Sequence, residues 1–393
     1  IREYLDMGKY GVLLISGRRT HQEAHAVAFA ANPLCDLVAV TDEKEVSASM
    51  HKRGQQLAED HGIPYIDDLD VALQREDVDI VSMCADVERR GRVAVKCAKA
   101  GKHIYLDKPM AGTIQDIDSI VKAVQQAGVK SQMFSFIHTP WATRAKDAIE
   151  RGSIGTLKAV HAEILFAKGA SIGTVPDGGV REEKEHVGQY TFINSKREGF
   201  DIGVYVVGLV CWLTGKRPES VYGLTGNYIF ADHYQNDVED FSALTIEMED
   251  DLVGTTVSGR IGWMSHPRGG PMRVFVIGSK GTLVVDGSRP RVEIYNEETD
   301  FTSPRVHPLD PMGMWASTNA EVDTMPKNRW VLLNDDSTVM HNDVNVFIDC
   351  INTDREPIMN AAAASPLTEV ILAGYISSAR GQPVTLPLSR DKN

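Results

Sequence analysis

Residues 101–110 read Gly-Lys-His-Ile-Tyr-Leu-Asp-Lys-Pro-Met, and this stretch decides how the first part of the chain is interpreted. An apolar run at 104–106 is followed at once by an acid, a lysine and a proline. Pro109 cannot donate to a sheet ladder, so we expect the strand to end before it and leave Lys108 at its tip. The carboxyl ends of strands in an open α/β sheet border the ligand crevice, where a lysine can bind a phosphate or a substrate hydroxyl, or lower the pKa of an acid. The alternative is a solvated loop lysine after an edge strand.

Strand and helix patterns alternate on both sides of this stretch. Apolar runs predict strands at 10–15, 37–41, 79–84, 104–106 and 129–134. Helical patterns lie between them at 22–31, 49–61, 90–100 and 115–127. Repeated units of one strand and one helix predict a parallel, doubly wound sheet of the Rossmann type.

The pattern changes beyond residue 136. Helices are predicted over 140–151, about 200–213, 343–350 and 361–379, and β-rich stretches fill much of 157–295. The sequence therefore predicts an α/β chain of two domains. Residues 1–136 form the Rossmann domain, and residues 137–393 form an α+β domain with a large, open, mostly antiparallel sheet, whose terminal helices are able to pack back on the first domain. Residues 299–340 lack periodicity and are interpreted as an ordered excursion or lid.

Composition excludes several classes of function. The chain has 393 residues, of which 42% are hydrophobic and 24% charged, as in ordinary globular proteins. Its net charge of −13 argues against nucleic-acid or anionic-membrane partners, and no apolar run approaches the length of a membrane span. Five scattered cysteines without a C-x-x-C pair predict reduced, buried thiols in a cytoplasmic protein and no structural zinc site. The first residues are not typical of a signal peptide.

A nucleotide site is predicted after the first strand. Residues 15–20, Ile-Ser-Gly-Arg-Arg-Thr, keep only the middle glycine of the G-x-G-x-x-G pattern, but a strand precedes them and a helix follows. Asp42 ends the second strand, where it is placed to bind an adenosine ribose. Together with Glu43 it would repel a 2′-phosphate, which favours NAD over NADP, although Arg18 or Arg19 could hold a phosphate. An ordinary strand-end acid is the alternative for Asp42.

Four motifs in order resemble the Gfo/Idh/MocA oxidoreductases. Residues 101–109 are similar to that family's G-K-H-(V/I)-x-x-E-K-P signature, with Asp107 in place of the glutamate. Residues 149–160 resemble the start of its second domain. Asp201-Ile-Gly-Val-Tyr205 resembles its second catalytic motif, D-x-G-x-H or D-I-G-x-Y. Residues 277–283 are similar to its late β-hairpin, and residues 343–386 to its C-terminal helices and final Val-Thr-Leu-Pro.

The resemblance implies an NAD(P)-dependent oxidoreductase that acts on a secondary hydroxyl of a sugar, glycoside or cyclic polyol. It implies a homo-oligomer, either a dimer or a tetramer, and no metal ion is expected. The catalytic positions are Lys108, Asp201 and Tyr205, and these three together with His138 are the substrate-contacting positions. The implied cofactor-binding residues are Ser16, Gly17, Arg18, Arg19, Thr20, Asp42, Cys84, Asp107, Lys108 and Pro109.

The chain departs from the family pattern in three places. Ile15 and Thr20 replace the outer glycines of the phosphate loop. Residues 85–90, Ala-Asp-Val-Glu-Arg-Arg, replace T-P-x-x-x-H and bring negative charge toward the expected cofactor. Gly208 replaces an acid that often follows the catalytic His or Tyr. Two alternatives therefore stay open: a non-catalytic relative that binds a sugar-like ligand, and an enzyme that keeps NAD bound and passes hydride between two substrates or catalyses a redox-neutral elimination.

The residues themselves specify a chemistry for alcohol oxidation. The reaction needs a proton acceptor for oxygen and a hydride acceptor for carbon, and only nicotinamide can supply the latter here. Tyrosine has an ordinary pKa of about 10, which a nearby ammonium lowers while it also stabilises an alkoxide. We interpret Tyr205 as the acid/base and Lys108 as its electrostatic partner. Asp201 either orients Lys108 or binds a second hydroxyl, and packing under a sheet is the alternative for Tyr205.

Histidines at three further positions have two interpretations each. His138 follows the last Rossmann strand and either contacts the substrate or helps to cap the next helix. His21 and His25 have the i, i+4 spacing of metal ligands, but the zincin order is H-E-x-x-H, so packing or capping is favoured.

Polar residues of the second domain receive structural interpretations. A hairpin loop is predicted around His233 and Asp237. Arg260 and Trp263 end a strand, where packing is favoured. A polar loop before Asp201 is expected to face solvent rather than substrate, and it contains His186, Tyr190 and Asn194.

Overall fold

The structure is a computed structural model that describes residues 8–17, 21–167, 183, 197–261, 265–266, 270–296, 327–332 and 339–390. Several residues with predicted roles lie outside the described residues, namely Arg18, Arg19, Thr20, His186, Tyr190, Asn194, Trp263 and most of 299–340. The chain divides into two compact units. The first unit contains the described residues up to 135 and residues 339–368, and the second contains the rest.

The first unit is built on a parallel six-stranded sheet with the order β3-β2-β1-β4-β5-β6. The strands are β1 Tyr10–Ile15, β2 Cys35–Thr41, β3 Tyr65–Ile66, β4 Ile80–Met83, β5 His103–Leu106 and β6 Ser131–Met133. The strand order reverses between β1 and β4, which is the topological switch point of a doubly wound sheet. The Rossmann prediction is confirmed, and the carboxyl ends of β1, β2, β4 and β5 lie at one edge.

The two units contain ten α-helices among the described residues. They are α1 His21–Ala31, α2 Ala48–His61, α3 Leu69–Leu73, α4 Val87–Lys99, α5 Ile114–Ala127, α6 Pro140–Glu150, α7 Val204–Thr214, α8 Ala231–Gln235, α9 Val339–Asn352 and α10 Ala361–Arg380. A π-helical turn, Gly199–Gly203, leads into α7. None of these helices is both long enough and apolar enough to cross a bilayer.

Helix α9 belongs to the first unit although it lies far away in sequence. Tyr105 Oη on β5 donates to Asp343 Oδ2 at 2.7 Å, and Asn32 Nδ2 donates to Asn345 Oδ1 at 2.8 Å. The side chains of β1 from Val12 to Ile15 are fully buried, as expected for a strand that is covered on both faces.

The second unit contains a nine-stranded sheet among the described residues, with the order β14-β13-β12-β11-β7-β10-β9-β8-β15. The strands are β7 Leu157–Ala167, β8 Pro218–Gly226, β9 Phe241–Met248, β10 Leu252–Ile261, β11 Met272–Gly278, β12 Gly281–Asp286, β13 Arg291–Asn296, β14 Lys327–Leu332 and β15 Val384–Thr385. Only β7 and β10 pair in parallel in this described sheet. The prediction of a mostly antiparallel sheet is confirmed.

The two faces of this sheet differ. Alternate residues of β7, Val160, Ala162 and Ile164, are at most 2% exposed, and α7 packs against β7 and β10. On the other face, Ala159 lies in register between Val253 and Ile277, whose exposed fractions are 41% and 39%. The sheet therefore has one covered face and one open face, as predicted.

Candidate active site

Lys108 lies directly after β5, at the carboxyl edge of the parallel sheet. Asp107 N donates to Met83 O at 3.0 Å, which continues the ladder one residue beyond the strand. Lys108 is only 5% exposed, and the peptide bond that joins it to Pro109 is cis. The chain therefore holds this lysine inside the protein rather than on a solvated loop.

The Asp107 carboxylate fixes the start of the Lys108 segment. Its Oδ1 lies 2.8 Å from His21 Nδ1 and accepts from Lys108 N at 2.8 Å. Burial alone would raise the pKa of Asp107, but His21 and Arg90 hold that pKa well below its ordinary value. Asp107 is thus a charged anchor within the first unit.

Arg90 on α4 contacts the same segment from the other side. It is 2% exposed, its Nε donates to Ala85 O at 2.8 Å, and its Nη1 donates to Asp107 O at 2.8 Å and also to Pro109 O. Its Nη2 lies 3.5 Å from Asp107 Oδ2. In the sequence, Arg90 stood out only as a departure from the family motif. The residues around it did not predict that it would bond to the Lys108 segment.

Asp42 ends β2 as predicted, but an arginine covers it. Arg89 Nη1 lies 2.5 Å from Asp42 Oδ1, and Nη2 lies 3.1 Å from Oδ2 and from Ser16 O. Asp42 is fully buried and Arg89 is 5% exposed. Burial raises the pKa of Asp42, although Arg89 opposes the shift. In this structure the Asp42 carboxylate, which was predicted to bind ribose, is instead hydrogen-bonded to the buried guanidinium of Arg89.

Arg89 also changes the expected charge of the loop after β4. Its Nε lies 3.5 Å from Asp86 Oδ2, and its Nη1 lies 3.3 Å from Glu43 Oε2. The negative charge that the sequence places here on Asp86 is therefore compensated inside the first unit.

A cavity of about 320 Å³ opens beside this cluster. Its volume falls in the range typical of small-molecule sites. The lining residues come from the loop after β2, from α2 and from α4, and they are Glu43, Glu45, Val46, Ser47, Met50, Glu88, Arg89 and Arg92. In a doubly wound sheet this edge receives the adenosine end of a dinucleotide.

Gly17 and Cys84 bring the ends of β1 and β4 together. A Cβ atom on Gly17 would lie 2.2 Å from Cys84 O, so only glycine permits this approach. The Cys84 side chain points inward, with Sγ 3.3 Å from His25 Nδ1, and burial raises its pKa well above the ordinary value. Cys84 therefore borders the predicted phosphate loop with its backbone.

His21 and His25 occupy different surroundings. His25 is fully buried beside the rings of Tyr105 and Phe134, and burial lowers its pKa to about 4. His21 pairs with Asp107 instead. The favoured interpretation, packing rather than metal binding, agrees with these contacts.

Tyr205 lies in the first turn of α7, in the second unit. It is 6% exposed, and its ring stacks on Phe136 with a centroid distance of 4.2 Å and an interplanar angle of 16°. The π-helical turn before it carries Asp201, and π-helical turns are frequent at functional sites. This turn starts one residue after Glu198, which the sequence did not single out.

Asp201 pairs with Arg260 rather than standing alone. Arg260 Nη2 lies 2.7 Å from Asp201 Oδ2, and Arg260 Nε donates to Glu198 Oε1 at 3.0 Å. The interpretation of Arg260 as a packing residue was wrong, because the residue bridges two carboxylates. Burial raises the pKa of Glu198, against the effect of His233 and Arg260.

His233 is part of this cluster and lies in the long loop that joins β8 to β9. It lies on the short helix α8, is 8% exposed, and its Nε2 lies 3.0 Å from Glu198 Oε1. Asp237 follows in a turn with a φ of 56°. Residues 227–240 join the antiparallel strands β8 and β9, so the predicted hairpin loop is confirmed, and α8 lies within it.

His138 lies in the loop before α6. Thr139 caps that helix, since its Oγ1 accepts from Ala142 N at 3.3 Å. Burial lowers the pKa of His138 to about 4, so its imidazole is neutral at physiological pH. The side-chain cap of this helix thus belongs to Thr139.

These features define a class of fold. The first unit is a doubly wound, Rossmann-type sheet with a buried lysine at one strand tip, and the second is an open-sheet unit with a tyrosine in the first turn of a helix.

Comparison with protein families identifies the chain further. Residues 13–135 match the model of an oxidoreductase family with an NAD-binding Rossmann fold, and residues 142–284 match the GFO/IDH/MocA C-terminal domain. The chain belongs to the Gfo/Idh/MocA family, and its cofactor is NAD. The resemblance drawn from the four motifs is confirmed.

Curated relatives and solved structures agree with this assignment. The chain is 26% identical to dTDP-3,4-didehydro-2,6-dideoxy-alpha-D-glucose 3-reductase of Streptomyces violaceoruber, over 72% of this chain and 75% of that protein. It is 24% identical to scyllo-inositol 2-dehydrogenase (NAD(+)) of Bacillus subtilis, over 86% of each. Levoglucosan dehydrogenase, solved with NADH and levoglucosan, has the same fold, with a TM-score of 0.74, 20% identity and coverage of 97% of this chain and 100% of that one.

Proposed function

We propose that the protein oxidises a secondary hydroxyl of a sugar, glycoside or cyclic polyol and transfers the hydride to NAD. The observation that carries the proposal is the buried Lys108, which is 5% exposed at the tip of β5 in an NAD-binding domain. The substrate class is supported by relatives named for an inositol and for a nucleotide-linked sugar.

NAD when bound supplies the hydride acceptor, and the residues of the first unit hold it. We assign its binding to the cofactor positions predicted above, Ser16, Gly17, Arg18, Arg19, Thr20, Asp42, Cys84, Asp107, Lys108 and Pro109. The neighbouring cavity is lined by three carboxylates, those of Glu43, Glu45 and Glu88, and by the guanidiniums of Arg89 and Arg92, both of which pair with Glu43. The excess of carboxylates disfavours a 2′-phosphate and supports NAD over NADP. A ribose hydroxyl that bonds to Asp42 would have to displace Arg89 or share Oδ2 with it.

Tyr205 accepts the proton of the substrate hydroxyl, and the Lys108 ammonium stabilises the alkoxide that forms. Stacking on Phe136 restricts the phenol ring of Tyr205 to one orientation. Asp201, already bonded to Arg260, accepts a hydrogen bond from a second substrate hydroxyl, and His138 contacts the substrate as a neutral imidazole. Lys108 and Tyr205 must reach the same substrate for this chemistry.

Substitution of the two central residues tests the proposal. Lys108→Ala and Tyr205→Phe should each lower turnover by about 100-fold or more, because each removes a group that acts on the transferred proton or the alkoxide. The measurement is absorbance at 340 nm with NAD and a panel of sugars and polyols, and NAD binding is followed separately by fluorescence titration. Lys99→Ala is the control, since this lysine is exposed at the end of α4. Wild-type turnover in Lys108→Ala would refute the assignment.

One observation favours the alternative of a relative that does not turn NAD over. The buried pair of Asp42 and Arg89 competes with ribose for the same carboxylate. A protein that binds a sugar in calorimetry but shows no NAD-dependent absorbance change would support this alternative. NAD that copurifies without net NADH release would instead support internal recycling of hydride.

We also propose that the protein is a homo-oligomer, a dimer or a tetramer, in the cytoplasm. The open face of the second sheet supports the assembly, because large exposed apolar patches mark interaction sites. The location is supported by the five cysteines, none of which forms a disulfide.

A further inference from the structure

We propose, on the basis of the function proposed for Lys108, that Arg90 is a positioning residue for this lysine and that Arg90 and Asp107 are matched in length. Neither residue contacts the reacting atoms in this proposal. Arg90 acts by holding the backbone on both sides of Lys108, and Asp107 completes the same clamp.

The contacts of one nitrogen atom carry the first step. Arg90 Nη1 donates to Asp107 O and to Pro109 O, which are the carbonyls immediately before and after Lys108 in the chain. A guanidinium Nη has two N–H groups, so each of them can donate to one of the two carbonyls that flank Lys108. Nε of the same side chain donates to Ala85 O at 2.8 Å, which connects the Lys108 segment to the loop after β4.

Burial and charge explain why an arginine is needed here. Arg90 is 2% exposed, and a buried cation is tolerated only when its charge and its N–H groups are satisfied. Asp107 Oδ2, 3.5 Å away, supplies the counter-charge. A lysine at position 90 would keep the charge but lack the planar fork that serves three carbonyls at once.

The second carboxylate oxygen of Asp107, Oδ1, shows why a short acidic side chain suits this position. Its Oδ1 accepts from the next backbone N–H, that of Lys108, at 2.8 Å, a contact typical of a short acidic side chain. The family pattern that this sequence resembles has a glutamate in place of Asp107 and a histidine in place of Arg90. This chain has a shorter acid and a longer base that lie 3.5 Å apart, and we infer that the two changes compensate each other.

A four-protein cycle tests the match: wild type, Arg90→His, Asp107→Glu and the double variant. Each single variant should lower kcat by about 10-fold or more while the Kd for NAD changes by less than about 2-fold, because Lys108 loses its placement. In the double variant, the decrease in log kcat should be at most half of the decrease seen in the single variants. Arg75→Lys is the control, since Arg75 forms an exposed ion pair with Asp77 elsewhere in the first unit.

Two readouts separate positioning from a general loss of structure. The pH at which kcat reaches half its maximum should move upward in the single variants, because a displaced ammonium favours the phenolate less. The rate at which acetic anhydride labels Lys108, followed by peptide mass spectrometry, should rise in the single variants and fall back in the double variant. The labelling readout needs no turnover.

Several outcomes would overturn the inference. Additive losses in the double variant would refute the length match, and an unchanged kcat and labelling rate in Arg90→His would refute the positioning role. If a single variant does not fold, Arg90→Lys replaces it. A wild-type rate of Lys108 labelling in Arg90→Lys would refute the role of the planar guanidinium. An active Lys108→Ala would refute the proposed function itself, whereas an inactive Lys108→Ala beside a wild-type-like Arg90→His refutes only the role of Arg90.

Discussion

Single residues of the site were predictable where their own neighbours in sequence define them. The tip position of Lys108 follows from the apolar run before it and the proline after it. The partners of Asp42 and Asp201 did not follow, because Arg89 and Arg260 lie 47 and 59 positions away and reach them only in the folded chain. Ion pairs formed by residues distant in sequence leave no periodic signal.

Asp343 is a buried acid whose charge opposes folding. Its Oδ2 accepts from Tyr105 Oη at 2.7 Å and from Gln132 Nε2 at 2.9 Å. Burial nevertheless raises its pKa from 3.8 to about 7. The folded protein therefore holds this proton between pH 4 and 7 while the unfolded chain has lost it, so the free energy of unfolding falls as pH rises through this window.

Asp343→Asn should remove this pH dependence, because the amide stays neutral and still accepts both bonds. The wild type should lose up to about 1.4 kcal/mol of stability per pH unit in this window through Asp343, and the variant should not. Urea denaturation at pH 5 and at pH 8 measures the difference. Equal slopes of stability against pH in the two proteins would contradict the prediction.

Elements were predictable when they are long enough to show a period. The sequence identified β1, β2 and β4 and the helices between them, but it missed β3, α3 and α8, which have only two to five residues. The sequence also did not explain the buried glutamine on β6. Gln132 Nε2 donates to Asp343 Oδ2 at 2.9 Å, and the two residues are 211 positions apart in the chain. Short elements depend on tertiary contacts rather than on their own pattern.

The helix caps give a prediction at this scale. Thr113 Oγ1 accepts from Asp116 N at 3.2 Å at the start of α5, whereas Ser47 at the start of α2 makes no side-chain cap bond. Thr113→Ala should therefore lower the free energy of unfolding by about 1 kcal/mol, and Ser47→Ala by clearly less. Urea midpoints of the two variants provide the measurement, and equal losses would show that the cap bond of Thr113 contributes nothing.

For the whole molecule, the proposed oligomer depends on the open face of the second sheet. Tyr222 and Leu224 on β8 are 40% and 57% exposed, and Phe275 on β11 is 38% exposed. Charged side chains, among them Glu163 and Arg273, lie on the same face, so the proposed interface is mixed rather than purely apolar.

Leu224→Lys should dissociate the proposed oligomer, because the charged group would have to be buried at the interface. Val27→Lys is a matched control, since Val27 is 52% exposed on α1 in the first unit. Sedimentation at micromolar concentration checks the outcome. A wild-type monomer, or a Leu224→Lys oligomer of unchanged size, would exclude this face as the interface.

The parallel pair at the centre of the second sheet has a consequence for synthesis. Strand β7 leaves the ribosome before both of its neighbours, β10 and β11. One edge stays unpaired until β10 is complete at Ile261, and the other until β11 is complete at Gly278. Unpaired edges are prone to association with other nascent chains. Chaperone dependence of this protein should therefore be concentrated in the interval between translation of Leu157 and translation of Gly278.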